Sequence, residues 1–243
     1  MGFIYQTEIS PQNNHFTSLI AIPYNVQMGL ELIETITAGF FQTNVYLLGD
    51  EGTKDAIIID PGDEAAIILE LLKNNGLNLK YILLTHGHID HVGAVKELKD
   101  ATGAKIVMSK EDMFLYENLQ RQASLFYMDS PAVTDIDILL DSGEDEVMLG
   151  DIRCTVIHTP GHSPGSVCYY FPDMLFTGDT LFRDGVGRTD LWGGSYEAMA
   201  DSIRGLLLNL DDAIKVYPGH GPETTIGREK RENPFIKEMW NEA

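Results

Sequence analysis

The sequence predicts a mixed α and β fold in which two β-sheets pack face to face with helices outside them. Three observations predict it. Strand-like runs occur in both halves of the 243-residue chain, and each half carries its own amphipathic helices. Hydrophobic residues make up 44% of the chain, enough to fill a core between layers. The length suits one domain of ordinary to large size rather than two.

The elements follow in order. Residues 1–29 are polar, carry Pro11, Asn13, Asn14 and Pro23, and lack periodicity. They read as an N-terminal extension to a domain of residues 30–243. Glu31 to Thr37, Asn44 to Leu48 and the apolar run Ala56 to Ile59 read as strands, and Asp60-Pro61-Gly62 as a turn. Glu64 to Asn74 has helical spacing and stops at Gly76. Tyr81 to Leu84 is a buried strand, Val92 to Asp100 a helix ended near Gly103, and Lys105 to Met108 a strand. Residues 109–130 read as helical, with Phe114, Tyr116, Phe126 and Tyr127 facing the core or forming a flap. The second half begins with strands at 146–149, 152–158, 166–171 and 174–177. A helix from Tyr196 to Leu208, a strand from Ile214 to Tyr217 and a helix near 223–231 complete it.

Charge and cysteines narrow the function classes. Lys and Arg number 17 against 37 Asp and Glu, a formal net charge of -20. A basic face is the usual footprint of nucleic-acid and anionic-membrane binding, so both partners are excluded. Cys154 and Cys168 are too few for a disulfide framework and read as free thiols. No Lys or Arg precedes Lys54, and no apolar run approaches the ~18 residues of a membrane span. The expected location is the cytoplasm.

Histidine spacing carries the chemistry. Thr85-His86-Gly87-His88-Ile89-Asp90-His91 follows the strand ending at Leu84 and runs into a helix. In an extended loop, residues i and i+2 point the same way, so His86 and His88 can grip one ion. The turn into the helix lets Asp90 and His91 reach a second point. Three further polar residues each follow a buried strand and are flanked by glycine: His162 in Pro160-Gly161-His162, Asp179 in Gly178-Asp179, and His220 in Gly219-His220-Gly221. His158 reads as a satisfied strand residue and His15 as solvated.

These seven positions, taken in order, resemble the metallo-β-lactamase superfamily. The resemblance spans about Leu32 to Trp240 and implies an αββα sandwich with a binuclear metal site at one edge of the sheets. It implies one divalent ion on His86, His88 and His162, and a second on Asp90, His91 and His220, with Asp179 bridging. Zinc is the expected metal, with iron or manganese as alternatives. Asp60 matches the family's first motif aspartate and would accept a proton from a ligand imidazole, with Thr85 in a similar orienting role. Asp90 and Asp179 are the expected catalytic carboxylates, acting with a metal-bound hydroxide.

Within the superfamily, the stretches Phe182 to Asp190, Pro218 to Gly227 and Arg231 to Phe235 are similar to short bacterial hydroxyacylglutathione hydrolase-like proteins. That likeness implies a small-molecule substrate, an S-acylglutathione-type thioester. Its thiolate leaving group, with a pKa of about 8.5, needs no general acid. Longer members carry an extra C-terminal helical region, whereas only 23 residues follow His220 here. Arg188 is the candidate clamp for an anionic group of the substrate, or else the partner of Asp184 or Asp190. Phe182 is a candidate substrate contact. The rival reading is a persulfide dioxygenase with one iron on His86, His162 and Asp179. A lactonase or β-lactamase-like hydrolase comes after it.

Overall fold

A computed structural model describes residues 29–141 and 145–241. All but the last residue of the expected extension, and His15 with it, lie outside the described residues. The first half runs β1 (Leu30–Ala38), β2 (Thr43–Asp50), β3 (Asp55–Ile59), α1 (Ala65–Asn75), β4 (Asn78–Leu83), α2 (Ile89–Val92), α3 (Val95–Thr102), β5 (Lys105–Ser109), α4 (Met113–Tyr116), α5 (Leu119–Leu125) and β6 (Ile138–Leu140). The second half runs β7 (Glu146–Leu149), β8 (Ile152–His158), β9 (Val167–Phe171), β10 (Met174–Gly178), β11 (Leu181–Phe182), β12 (Gly185–Val186), α6 (Tyr196–Asn209), β13 (Lys215–Pro218), β14 (Thr224–Thr225), α7 (Ile226–Glu232) and α8 (Pro234–Asn241).

The strands form two six-stranded mixed sheets, ordered β1-β2-β3-β4-β5-β6 and β14-β13-β10-β9-β8-β7. β3, β4, β5 and β6 run parallel in the first, and β10 and β13 are the parallel pair of the second. Three apolar clusters define the layers. One packs Ile58, Ile82 and Ile106 of the first sheet against Ile68 and Leu72 of α1 and Leu98 of α3. The middle one joins alternate residues of the same strands, such as Ile57, Ile59 and Leu83, to Tyr169, Phe171 and Phe176 of the second sheet. The third packs Leu175 and Val216 against Met199, Ile203 and Leu206 of α6. Period-2 alternation in buried strands therefore feeds two faces at once. The architecture is the expected αββα sandwich.

Several elements differ from the sequence expectation. The helix expected over Val92 to Asp100 is two helices broken at Gly93 and Ala94, where the Ala94 N–H donates out of the helix to Pro61 O (2.9 Å). Residues 109–130 are not continuously helical: a 3-10 turn at Lys110–Asp112 precedes α4 and α5, and helix stops after Leu125. Their aromatics divide, with Tyr116 buried and Phe126 and Tyr127 exposed. The helix expected near 223–231 starts only at Ile226, where Thr225 caps it by accepting from the Arg228 N–H. β6, the β11–β12 hairpin and α8 were not expected; they are two or three residues long or follow a proline. Among the described residues, no helix is long and apolar enough to cross a membrane.

Candidate metal centre

The C-terminal ends of β3, β4, β8, β10 and β13 meet at one edge of the sandwich, and all seven candidate ligands sit on the segments that follow β4, β8, β10 and β13. The two sheets are stitched there. Asn44 N–H donates to Gly219 O (2.7 Å), Asn44 Nδ2 to Pro218 O (3.0 Å), and Tyr46 Oη to Pro218 O (2.6 Å). Glycine is required where ligands crowd. A side chain at Gly219 would collide with Asp179 Oδ1 and the His91 ring.

The structure gathers the histidines into two trios with ligand-like spacing. His86, His88 and His162 form one; Asp90, His91 and His220 form the other. Asp179 lies between them. Its Oδ2 is 3.5 Å from His162 Nε2, while Oδ1 is 3.5 Å from His91 Nε2 and 3.7 Å from His220 Nε2. Asp90 Oδ2 is 3.2 Å from His220 Nε2 and 3.6 Å from His91 Nε2.

Outer contacts decide which ring nitrogens point inward. Thr85 Oγ1 donates to Asp60 Oδ2 (2.6 Å), so its lone pair is left to accept from His86 Nδ1 (3.0 Å). Asp60 Oδ2 also accepts from His91 Nδ1 (3.0 Å), and Asp60 Oδ1 from the Thr85 N–H (2.7 Å). His162 Nδ1 donates to the backbone carbonyl of Arg188 (2.8 Å). Each of these rings thus keeps Nδ1 outward and turns Nε2 toward the centre. Asp60 also lies within ligand distance of His86 and His91. Its oxygens are already committed to three donors, so it orients the rings rather than forming a third ion site.

Among the described residues, three buried side-chain atoms have no hydrogen-bond partner: His86 Nε2, His91 Nε2 and Asp179 Oδ1. Unsatisfied buried polar atoms are rare because each forfeits its hydration. All three converge on one centre, where positive charge is favoured and a cation would take the place of a proton on His91, so the residues fit a pair of cations. The charge balance points the same way. Burial opposes a proton on His91, yet Asp90, Asp60 and Asp179 outweigh it and push His91 up to about 10. Burial opposes ionisation of Asp90 too, but His91 and the His220 hydrogen bond hold it well below the usual carboxylate range. In the other trio, burial and neighbouring imidazoles push His88 down to about 3 and His86 well below its ordinary value.

The remaining site candidates lie nearby. Phe182 stands beside the centre, its ring centroid 6.3 Å from that of His220. The guanidinium of Arg188 is exposed and forms a two-pronged pair with Asp190 (2.7 and 2.8 Å), the salt-bridge alternative; only its carbonyl touches a candidate ligand. His158 is 3.3 Å from Asp145 and belongs to neither trio. Cys154 and Cys168 are both free and buried.

Sequence reasoning missed Asp112. It is fully buried and accepts from Gly87 N–H (2.9 Å), Gly165 N–H (2.6 Å) and Ser163 Oγ (2.6 Å). One carboxylate therefore ties the loop of His86 and His88 to the loop of His162. Gln122 was missed as well: it accepts from Ile89 N–H (3.0 Å) and donates to Gly87 O (3.2 Å). Both lie in stretches that read as ordinary helix surface. Asp112 had only its place after a strand end to mark it.

Comparison with known proteins agrees with this geometry. The metallo-beta-lactamase superfamily profile matches residues 38–220. The chain belongs to that superfamily. It is 44% identical over 212 residues to hydroxyacylglutathione hydrolase GloC of Haemophilus influenzae, covering 84% of this chain and 97% of that one. TTHA1623, solved in a di-iron-bound form, superposes with a TM-score of 0.76 at 40% identity, covering 84% of this chain and all of that one. ETHE1 from Myxococcus xanthus superposes with a TM-score of 0.72 at 31% identity, covering 87% and 91%.

Proposed function

We propose that this metallo-hydrolase superfamily member is a binuclear thioesterase acting on S-acylglutathione-type thioesters. The observation that carries the two-ion reading is Asp179, whose two oxygens face different trios across buried atoms that lack partners. The substrate class is supported by the GloC relative. His86, His88 and His162 would hold one ion and Asp90, His91 and His220 the other, with Asp179 shared; zinc is the metal proposed. Divalent ions bound there supply acidification of water and polarisation of a carbonyl oxygen.

The chain's own residues divide the remaining work. Asp90, kept ionised by His91 and His220, accepts a hydrogen bond from the attacking water and so orients it. Phe182 walls the centre on the His220 side and excludes bulk water from the carbonyl carbon. Arg188 attracts the carboxylates of the thiol moiety. Its present pair with Asp190 is exposed, and such pairs are exchanged at little cost. The thiolate departs without a proton donor, which matches a site whose imidazoles are all committed as ligands. We place the enzyme in the cytoplasm, where Cys154 and Cys168 stay reduced.

The test is elemental analysis of the purified protein beside a thioester panel and an oxygen electrode. Release of free thiol from S-lactoylglutathione by protein carrying two ions per chain is the expected result. Oxygen uptake with glutathione persulfide by protein carrying one iron would overturn it in favour of the dioxygenase, the reading that the ETHE1 neighbour supports.

A further inference from the structure

The segment Arg231 to Phe235 and the helix before it hold no candidate ligand, yet they are built around two fully buried polar side chains, Glu229 and Asn233. Glu229 Oε1 accepts from Thr224 Oγ1 and from Arg228 Nη1 (2.7 Å). Its Oε2 accepts from Asn233 Nδ2 (2.9 Å) and from the backbone N–H of Asp184 (2.9 Å), the residue at the tip of the β11–β12 hairpin. Asn233 Nδ2 also donates to Gly185 O (3.0 Å) on the same hairpin, while its Oδ1 accepts from Phe235 N–H (3.1 Å) at the start of α8. Arg228 Nη2 reaches the Asp184 carboxylate (2.9 Å). Asp184 has a left-handed backbone (φ 63°), a conformation that for a residue with a side chain persists only when its surroundings fix it.

Burying a carboxylate is costly unless every lone pair is used, and an apolar side chain would pack α7 as well. What the carboxylate adds is directional hold on one hairpin. That hairpin lies between Asp179 and Arg188. One of its strands carries Phe182 beside His220, and the chain leaving it carries the carbonyl that orients His162.

We infer that Glu229 and Asn233 are positioning residues for the substrate: they clamp the β11–β12 hairpin so that Phe182 is a fixed wall beside the metal centre. This inference rests on the thioesterase reading for its kinetic arm. Neither residue touches a candidate ligand side chain, so metal content is left unchanged. A loosened wall misplaces the acyl carbon by fractions of an ångström from the attacking oxygen, which lowers kcat/KM chiefly through kcat. The segment from α7 into α8 thereby sets acyl-group fit.

The experiment uses the metal-loaded full chain as wild type, Glu229→Gln, Phe182→Ala and the double variant. Asn233→Ser is a milder fifth form, because serine keeps an oxygen to cap α8 but cannot reach Gly185 O. Glu229→Gln and Asn233→Ser are expected to lower kcat/KM for S-lactoylglutathione roughly 10-fold or more, chiefly through kcat, within the ~10²-fold that remote misplacement costs. Metal per chain should not change, and amide hydrogen exchange over residues 182–186 should be faster. In the Phe182→Ala background, Glu229→Gln should add nothing further, since the clamp acts through that ring. Multiplying effects in the double variant, or unchanged exchange over the hairpin in both single clamp variants, would overturn the inference. If wild type turns over no thioester, the substrate reading fails, and the exchange of residues 182–186 still decides whether the clamp exists.

Discussion

The two trios are built from similar residues but in different electrostatic settings. His86, His88 and His162 are three imidazoles, with His86 and His162 almost wholly buried, and the charged forms of His86 and His88 are disfavoured by burial and by neighbouring imidazoles. Asp90, His91 and His220 include a carboxylate, and the Asp90 and His220 side chains are 18% and 27% exposed. The supports differ as well. The first trio is braced by Asp112 and by the Arg188 carbonyl; the second leans on Asp60 and on Thr43 Oγ1, 3.4 Å from Asp90. The first offers imidazoles alone, shaped to hold an ion by geometry. The second already carries negative charge that an ion would neutralise. Asp179 couples them, and Asp60 reaches both, touching His91 directly and His86 through Thr85.

The coupling is broken most severely at its shared member. Asp179→Ala removes the carboxylate facing both trios and should cost more than the ~10²–10³-fold that one electrostatic group is worth in a catalytic site. The thioesterase rate, followed by thiol release, measures it; near-wild-type turnover would refute a shared site. Next come single ligands. His88→Ala should empty the first trio and leave the second loaded, and His220→Ala the reverse. Elemental analysis should then find about half the wild-type metal in each variant, with the catalytic rate lost in both.

Smaller effects separate the supports. Residues that orient metal ligands are worth about 10–100-fold in affinity or activity. Asp112→Asn keeps the side chain's shape but replaces one accepting oxygen by a donor facing Gly87 N–H or Gly165 N–H. It should weaken only the first trio's ion by that factor. Asp60→Asn should weaken both ions, since its oxygens serve both trios. Competition with a chelator reads the two affinities. Equal losses at both ions for Asp112→Asn would show that the trios are not separately supported.

Much of this was legible in the sequence because it is local. His86, His88, Asp90 and His91 lie within six residues, and a strand end followed by a helix start is enough to aim them. His162, Asp179 and His220 were visible because glycines beside a polar residue at a strand end mark a close approach. The α1 stop at Gly76 was read correctly for the same reason, a left-handed C-cap (φ 63°) that glycine adopts without strain. What was not legible depends on distant pairing. Asp112 gains its role only when Gly165 arrives from 53 residues away, and Glu229 only when Asp184 does from 45. Neither lies in a local pattern that marks it. β6 failed differently: three residues, Ile138–Leu140, are a strand only because the β5 edge is there to pair with.

The mildest prediction tests whether anything but the two trios binds the ions. A thiolate is a strong soft-metal ligand, and Cys168 lies close behind the centre. Its Sγ is 3.4 Å from Thr159 Oγ1, which is 3.0 Å from Thr180 Oγ1, next in sequence to Asp179. Burial pushes the Cys168 thiol up to about 12 despite those hydroxyl contacts, and Cys154 well above its ordinary value. Both therefore remain protonated and inert while the chain is folded. A disulfide reagent at pH 8 should find no reactive thiol in the native protein and two after denaturation, and Cys168→Ser should leave metal content unchanged. The sign of the pH effect follows. An unfolded thiol ionises near 9.0, whereas the folded one does not until about 12. Stability from this group is thus fully present below pH 9 and is lost as the pH climbs toward 12. A denaturation midpoint that held level across that range, or metal that left with Cys168→Ser, would mean that the thiol shares in the centre and that the two trios do not account for it alone.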